Sequence, residues 1–213
     1  MRMASMVSFR VLTAAALVVA MAGPAAAQKM VGKGRKGVAP DPVVLDNTGL
    51  FQERFVSVGD DLFIGGQPTE QALRDLKAKG VTTVVNLRMP QEMAQIGFDE
   101  AALLKELGIT YVHIPMRGSA ENPYGPAQLD TFASTLAGAQ GKVLLHCTVA
   151  WRASHLWGAY LIRDRKMPVE TVLAQTRKIN LRDDAPFGTQ QPIEGFLAKP
   201  VPGLLPPKPK PQP

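Results

Sequence analysis

The stretch Val143-Leu144-Leu145-His146-Cys147-Thr148-Val149-Ala150-Trp151-Arg152-Ala153-Ser154 concentrates the residue types that do chemistry. An apolar strand ends at His146 and Cys147, four residues separate Cys147 from Arg152, and a helical pattern begins almost at once. Open α/β sheets place their sites at the ends of parallel strands. A tight loop there turns successive backbone N–H groups inward, and the N-terminus of the next helix adds a positive partial charge. A planar guanidinium at Arg152 holds two oxygens of a phosphate-like group at once. The same field favours the thiolate of Cys147, so nucleophile and anion-binding loop are one structure. Thr148, Val149, Ala150, Trp151 and Ser154 are the expected substrate contacts.

Cys147 is the only cysteine in 213 residues, so no intramolecular disulfide is available. A buried structural thiol is the bland alternative, and Arg152 beside it on a strand–loop–helix turn favours a reactive group. His146 is expected to pack under the loop, hydrogen-bonded. His113 alternates with Val112 and Ile114 and reads as a satisfied strand histidine. His155, one turn from Arg152, is expected at the pocket rim. Three dispersed histidines and one cysteine have no metal-site spacing, so neither metal nor cofactor is expected. Arg88 ends a strand on the edge that carries the cysteine loop, where it meets an anion or makes a structural salt bridge. Gln67 reads as a turn residue. Trp151 either shapes an apolar rim or packs against Trp157 and Tyr160. Gly-x-Ser-x-Gly, dinucleotide and Walker loops are absent.

These residues need a scaffold, and the flanking pattern supplies one. Phe55–Val58 and Leu62–Ile64 around Gly59-Asp60-Asp61 predict a hairpin. Thr69 caps a helix carrying Leu73 and Leu76 and stopped by Gly80. Thr82–Leu87 is a buried strand, Asp99 caps a helix with Leu103, Leu104 and Leu107, and Tyr111–Ile114 is the next strand. Pro126 opens a helix whose Leu129, Phe132, Ala133 and Leu136 share one face. Lys142–Leu145 is a strand, and further helices are expected over Ala153–Arg163 and Pro168–Ile179. The alternation predicts an α/β fold with a mainly parallel central sheet flanked by helices.

Residues 1–27 read as an export signal: Arg2 and Arg10, a short apolar run from Val11 to Gly23, and Ala25-Ala26-Ala27 before a cleavage point at Gln28. A retained anchor is the competing reading. Residues 28–50 read as a flexible lead-in, 51–199 as the folded domain, and 200–213 as a Pro/Lys-rich tail. The expected location is periplasmic or secreted, with no membrane contact after cleavage. The chain has 24 basic and 18 acidic residues, and without Arg2 and Arg10 the excess is mild. Much of it sits at the ends, which argues against nucleic-acid binding.

His146-Cys147 followed by a loop and Arg152 resembles the active-site loop of protein tyrosine and dual-specificity phosphatases. Phe63-Ile-Gly-Gly-Gln-Pro68, Val84-Val-Asn-Leu-Arg88, Tyr111-Val-His-Ile-Pro115 and Val143 to Trp157 also occur in the order found in phosphatase-like domains of the beta-lactamase hydrolase-like family. The resemblance implies a cysteine-phosphatase fold, with Cys147 matching the nucleophile and Arg152 the oxyanion-binding arginine. It also implies a phosphocysteine intermediate and an oxyanion substrate containing phosphorus or sulfur. Phosphatase loops usually place five residues between Cys and Arg. The four found here are also similar to the loop of rhodanese sulfurtransferases, which would carry a persulfide on Cys147. Ala150 or Trp151 replaces the usual loop glycine, which predicts a distorted cradle. The hydroxyl residue that usually follows the arginine is Ala153 here, with Ser154 one place later. Related enzymes often carry an aspartate on the loop after the strand equivalent to Tyr111–Ile114, and the loop from Met116 to Tyr124 has no Asp. Glu121 is the only acid in that loop, and Asp183 and Asp184 are the other candidates for the general acid. A silent module that only binds an anion or partner is the third class of function, beside phosphatase and sulfurtransferase.

Overall fold

The computed structural model describes residues 43–45, 48–182 and 191–204. The stretch read as an export signal, most of that read as a lead-in, Asp183 and Asp184, and most of the stretch read as a tail lie outside these residues. Among the described residues six strands form one sheet: β1 (Val43–Leu45), β2 (Phe55–Val58), β3 (Leu62–Gly65), β4 (Val81–Asn86), β5 (Thr110–His113) and β6 (Lys142–His146). Their order is β1-β2-β3-β6-β4-β5. β1, β2 and β3 pair antiparallel, whereas β3, β6, β4 and β5 run parallel, so the sheet is mainly parallel, as expected.

Seven helices are seen among the described residues: α1 (Glu70–Ala78), α2 (Pro90–Met93), α3 (Glu100–Glu106), α4 (Pro126–Gly138), α5 (Trp151–Arg163), α6 (Val169–Ile179) and α7 (Pro192–Leu197). The apolar runs of β4 and β6 are continuous because both faces of the sheet are covered. Successive residues then serve opposite cores. Val85, Val143 and Leu145 join one core with Leu129 and Phe132 of α4, Leu156 of α5 and Val172 of α6. Val84 and Leu144 join the other with Leu73 and Leu76 of α1 and Leu103 and Leu104 of α3. Thr69 and Asp99 cap α1 and α3 as expected, each accepting the N–H of the residue three places on.

Four elements differ from the sequence expectation. β1 falls in the stretch read as a flexible lead-in, where Val43 to Leu45 pair with Val58 to Val56. Val201, in the stretch read as tail, is buried in the core. The short helices α2 and α7 were not anticipated, although each carries proline at its first position. α5 begins at Trp151, two residues before the expected start, so Arg152 belongs to its first turn.

The connectivity places the chemistry. β6 is inserted between β3 and β4, two strands that follow one another in sequence around α1. The C-terminal ends of these three strands therefore lie side by side, carrying Gly65-Gly66-Gln67, Cys147 and Leu87-Arg88.

Candidate active site

Cys147 leaves β6 buried, 1% exposed, and its N–H donates to the Gly65 carbonyl at 3.3 Å. The loop beyond it is pinned through its own carbonyls. The Gln67 N–H donates to the Thr148 carbonyl at 2.9 Å, and the Asn180 side-chain amide donates to the Val149 carbonyl. Gly66 forms a β-bridge with Val149, and a Cβ there would lie 2.7 Å from the Thr148 carbonyl and 1.8 Å from that of Gln52. Only glycine lets the β3 end approach the loop this closely. The loop closes at Ala150, which takes the left-handed conformation (φ +63°, ψ 0°) and is fully buried as the N-cap of α5. The missing glycine thus leaves the four-residue turn intact, with alanine in a conformation that costs a non-glycine residue about 1–2 kcal/mol. Ser154 N–H reaches back to the Ala150 carbonyl at 2.9 Å, while the three N–H groups before it have no intrahelical acceptor, as at any helix start.

Arg152 is 8% exposed and its guanidinium is heavily committed. Nη2 donates to Glu92 Oε1 at 2.6 Å and to Thr148 Oγ1 at 2.9 Å. Nη1 donates to Glu92 Oε2 at 2.8 Å and to the carbonyls of Leu87 and Met116 at 3.1 Å each. Burial opposes the charge on Arg152, and the bonds to Glu92 more than restore it, so its pKa lies above the ordinary value. Glu92 also accepts the Thr148 hydroxyl at 2.7 Å and the Met89 N–H at 2.7 Å. Burial pushes the Glu92 carboxyl up, but the Arg152 fork, the Met89 amide and Thr148 outweigh it and hold it at about 2.

A cavity of about 280 Å³ opens over this cluster. Cys147, Thr148, Val149, Trp151 and Arg152 form its base, with Glu92, Arg117, Tyr124 and Arg182 around them. Trp151 meets Tyr124 edge-on at 6.4 Å and His155 at 4.8 Å, whereas Trp157 stacks on Tyr160. The indole therefore shapes the apolar side of the cavity, the first of the two roles expected of it.

Behind the loop a second polar cluster holds His146, which is fully buried, with Nε2 3.1 Å from Glu100 Oε1. Glu100 also accepts the side-chain amides of Asn86 at 2.9 Å and Gln67 at 2.8 Å. His146 thus packs under the loop as expected. His113 is satisfied as well, its Nε2 lying 2.7 Å from the Arg88 carbonyl.

Four expected site residues do not line the cavity. Glu121 is exposed on the loop surface, where its own backbone N–H and Ser119 hold its pKa below the ordinary value. Ser154 is buried and donates to the Trp151 carbonyl at 2.8 Å, because the early start of α5 turns it into the helix rather than toward the thiol. His155 does not rim the pocket either: it is fully buried, neither ring nitrogen has a hydrogen-bond partner among the described residues, and burial pushes it down to about 3. Ala150 shapes the loop from beneath without lining the cavity. Glu92, Arg117, Tyr124 and Arg182 are the lining residues that sequence reasoning missed. Glu92 had a legible signal, since it follows Pro90 two places into a helix start and stands four residues after Arg88. Among the described residues, no three His, Cys, Asp or Glu side chains come together as metal ligands.

This geometry has relatives. A beta-lactamase hydrolase-like protein of Xylella fastidiosa (strain 9a5c) is 29% identical over 123 residues, covering 57% of this chain and 28% of that protein. The chain therefore matches little more than a quarter of the length of that curated relative. P. aeruginosa TpbA has the same fold, with a TM-score of 0.53 at 17% identity over 74% of this chain and 95% of that one. A second TpbA structure is a complex with phosphotyrosine. PTPMT1, in a complex with PI(5)P, superposes with a TM-score of 0.52 at 18% identity over 65% of this chain and 89% of that one. A family model described as "DSP-PTPase phosphatase fused to NAD+ Kinase" matches residues 54–192. The chain belongs to that family, and its fold is that of the tyrosine and dual-specificity phosphatase-like superfamily.

Proposed function

We propose that the domain is a cysteine-dependent phosphomonoesterase. The observation that carries the reading is the cavity shared by Cys147 and Arg152 at the N-terminal end of α5. Cys147 Sγ attacks phosphorus as the P–O ester bond breaks, and the departing oxygen takes up a proton. Water then attacks the phosphocysteine, the S–P bond breaks, and inorganic phosphate leaves with the thiolate restored. The first-turn amides of α5 stabilise the charge on the transferring group, and Arg152 joins them as the phosphoryl oxygens displace Glu92 from its fork. The phosphotyrosine and PI(5)P complexes of TpbA and PTPMT1 support a phosphoester substrate. Residues 1–27 support export, so that the enzyme acts in the periplasm or outside the cell.

Hydrolysis of p-nitrophenyl phosphate by the full chain, abolished in Cys147→Ser, is the expected result. The four-residue spacing between Cys147 and Arg152 favours a second reading, sulfur transfer. There Cys147 takes the outer sulfur of thiosulfate as sulfite leaves, and cyanide removes it as thiocyanate. Thiocyanate formation without phosphate release would replace the first reading with the second. If neither product forms and oxyanions still protect Cys147 from iodoacetamide, the domain is a binding module.

A further inference from the structure

A groove of about 820 Å³ lies beside the catalytic cavity, and Thr148 lines both. Its floor carries Arg88, 6% exposed, the guanidinium that chemistry at Cys147 does not use. Arg88 Nη1 donates to Gln67 Oε1 at 2.5 Å and Nη2 to the Glu92 carbonyl at 2.9 Å. Nε has no hydrogen-bond partner among the described residues, and the nearest carboxylate oxygen, Glu92 Oε1, is 4.0 Å away and already bound to Arg152 and Thr148. Two buried guanidinium groups thus share one carboxylate, Arg152 at the base of the catalytic cavity and Arg88 at the floor of the groove. The first turn of α1 also borders the groove, through Thr69, Glu70 and Gln71, and brings the positive end of a nine-residue helix to it.

We propose that this groove is a substrate subsite that takes an acidic side chain of a phosphopeptide whose phosphoester lies over Cys147. The inference rests on the phosphomonoesterase reading and names its substrate class. Arg88 is the one cation lining the groove among the described residues, and Glu70 is there as well. That balance suits one carboxylate and not a cluster of phosphates. Phe51, Ile96 and Phe98 give apolar walls for an extended chain, and Gln52 and Gln95 give amides for its backbone.

The test uses the full chain with Cys147→Ser, so that phosphopeptides bind without turnover. Two phosphotyrosine peptides are compared by calorimetry, one flanked by aspartates and one by alanines. The acidic peptide is expected to bind about fivefold more tightly, the scale of one rim charge. Gln71→Glu and Gln95→Glu, both at exposed positions, are expected to erase that preference, and Glu70→Gln to widen it. Equal affinities, or a preference indifferent to these three substitutions, would overturn the proposal. A soluble inositol bisphosphate that binds with the same dependence on positions 70, 71 and 95 would overturn the peptide assignment. If neither phosphopeptide binds, the phosphoester reading of Cys147 fails. An unphosphorylated acidic peptide then tests the groove alone, and no binding of it ends the proposal.

Discussion

The Glu92 carboxylate fills the fork of Arg152, with Oε1 2.6 Å from Nη2 and Oε2 2.8 Å from Nη1. This is the bidentate geometry that the guanidinium offers to a phosphate. Thr148 closes the arrangement, since its hydroxyl donates to Glu92 Oε1 and accepts from Arg152 Nη2. An arginine on the first turn of α5 is thereby fixed in the wall of the cavity it shares with Cys147 before any substrate arrives. The carboxylate comes from α2, a four-residue helix between β4 and α3, so the loop after β4 belongs to the site as much as the cysteine loop does.

Glu92→Gln should reveal both sides of that contact. Glutamine keeps the shape and removes the charge, leaving Arg152 largely buried without a counter-ion. The Glu92 carboxyl is lowered from 4.5 to about 2 in the folded chain. Its folded value lies below the unfolded one, so the stability it contributes is complete above about pH 4.5 and is lost as the pH falls toward about 2. Discounted for the exposed quarter of the side chain, the contribution is about 2 kcal/mol at neutral pH. Urea unfolding across pH should therefore show a shallower acid loss in the variant, with Glu100, also lowered, accounting for what remains. Added phosphate should raise the variant's melting temperature more than the wild type's, because the anion restores the negative charge that Arg152 has lost. An unchanged acid slope would mean that Glu92 and Arg152 are not paired in solution.

Ala150 makes an opposite kind of prediction. At φ +63° the loss of its Cβ relieves backbone strain, although the unfolded chain gains freedom and a buried methyl is given up. Ala150→Gly is expected to be neutral or stabilising by up to about 1 kcal/mol, where an ordinary buried Ala→Gly change destabilises. Ala150→Val, β-branched at the same angles, should cost about 2 kcal/mol or more. Urea midpoints at constant slope decide it. A loss in the glycine variant would show that the loop does not hold the left-handed turn.

The contrast between Cys147 and Glu92 explains how much of this molecule was legible in its sequence. The strand ending at Cys147, the hairpin before β3 and the capped helices α1 and α3 follow from short-range patterns, and they were read directly. Arg152 was found because it lies on the same local turn as Cys147. Glu92 lies 60 residues from Arg152 along the chain, and Glu100 lies 46 from His146. Both are glutamates at the start of short helices, where a solvated carboxylate beside a helix N-terminus is the ordinary expectation. Their burial is decided by which strand ends the sheet order brings together, a property of topology that local spacing does not carry. Ser154 was misplaced for a smaller reason: alanine at 150 accepts the left-handed turn, so α5 starts early and rotates the hydroxyl away.

Glu121 separates the loop reading from the structure most cheaply. It lies on the exposed surface of the loop between β5 and α4, outside the lining of the catalytic cavity. Glu121→Gln should leave kcat/KM for an aryl phosphate within about twofold of wild type, the scatter of an ordinary surface substitution. A loss of an order of magnitude or more, together with loss of the basic limb of the kcat profile, would instead make Glu121 the general acid on a loop that closes over substrate.

Glu100 should be the carboxylate the fold can least spare. Its side chain is 1% exposed and receives Gln67 Nε2, Asn86 Nδ2 and the ring of His146. Burial opposes its charge, and His146 and these amides hold its pKa below the ordinary value. Glu100→Ala leaves the ring nitrogen of His146 without its partner and takes the charged acceptor from two amides that keep only Pro68, Met93 and Tyr111, for a cost of about 3 kcal/mol. Glu100→Gln keeps one carbonyl but points a donor at other donors, and should recover only part of that loss. Because His146 immediately precedes Cys147, the glutamine variant should also change the pH profile of Cys147 alkylation, whereas a remote core change such as Leu173→Ala should lower the urea midpoint and leave that profile in place. If Glu100→Gln unfolds like wild type and alkylates with the same profile, the cluster behind the loop is not what holds the site.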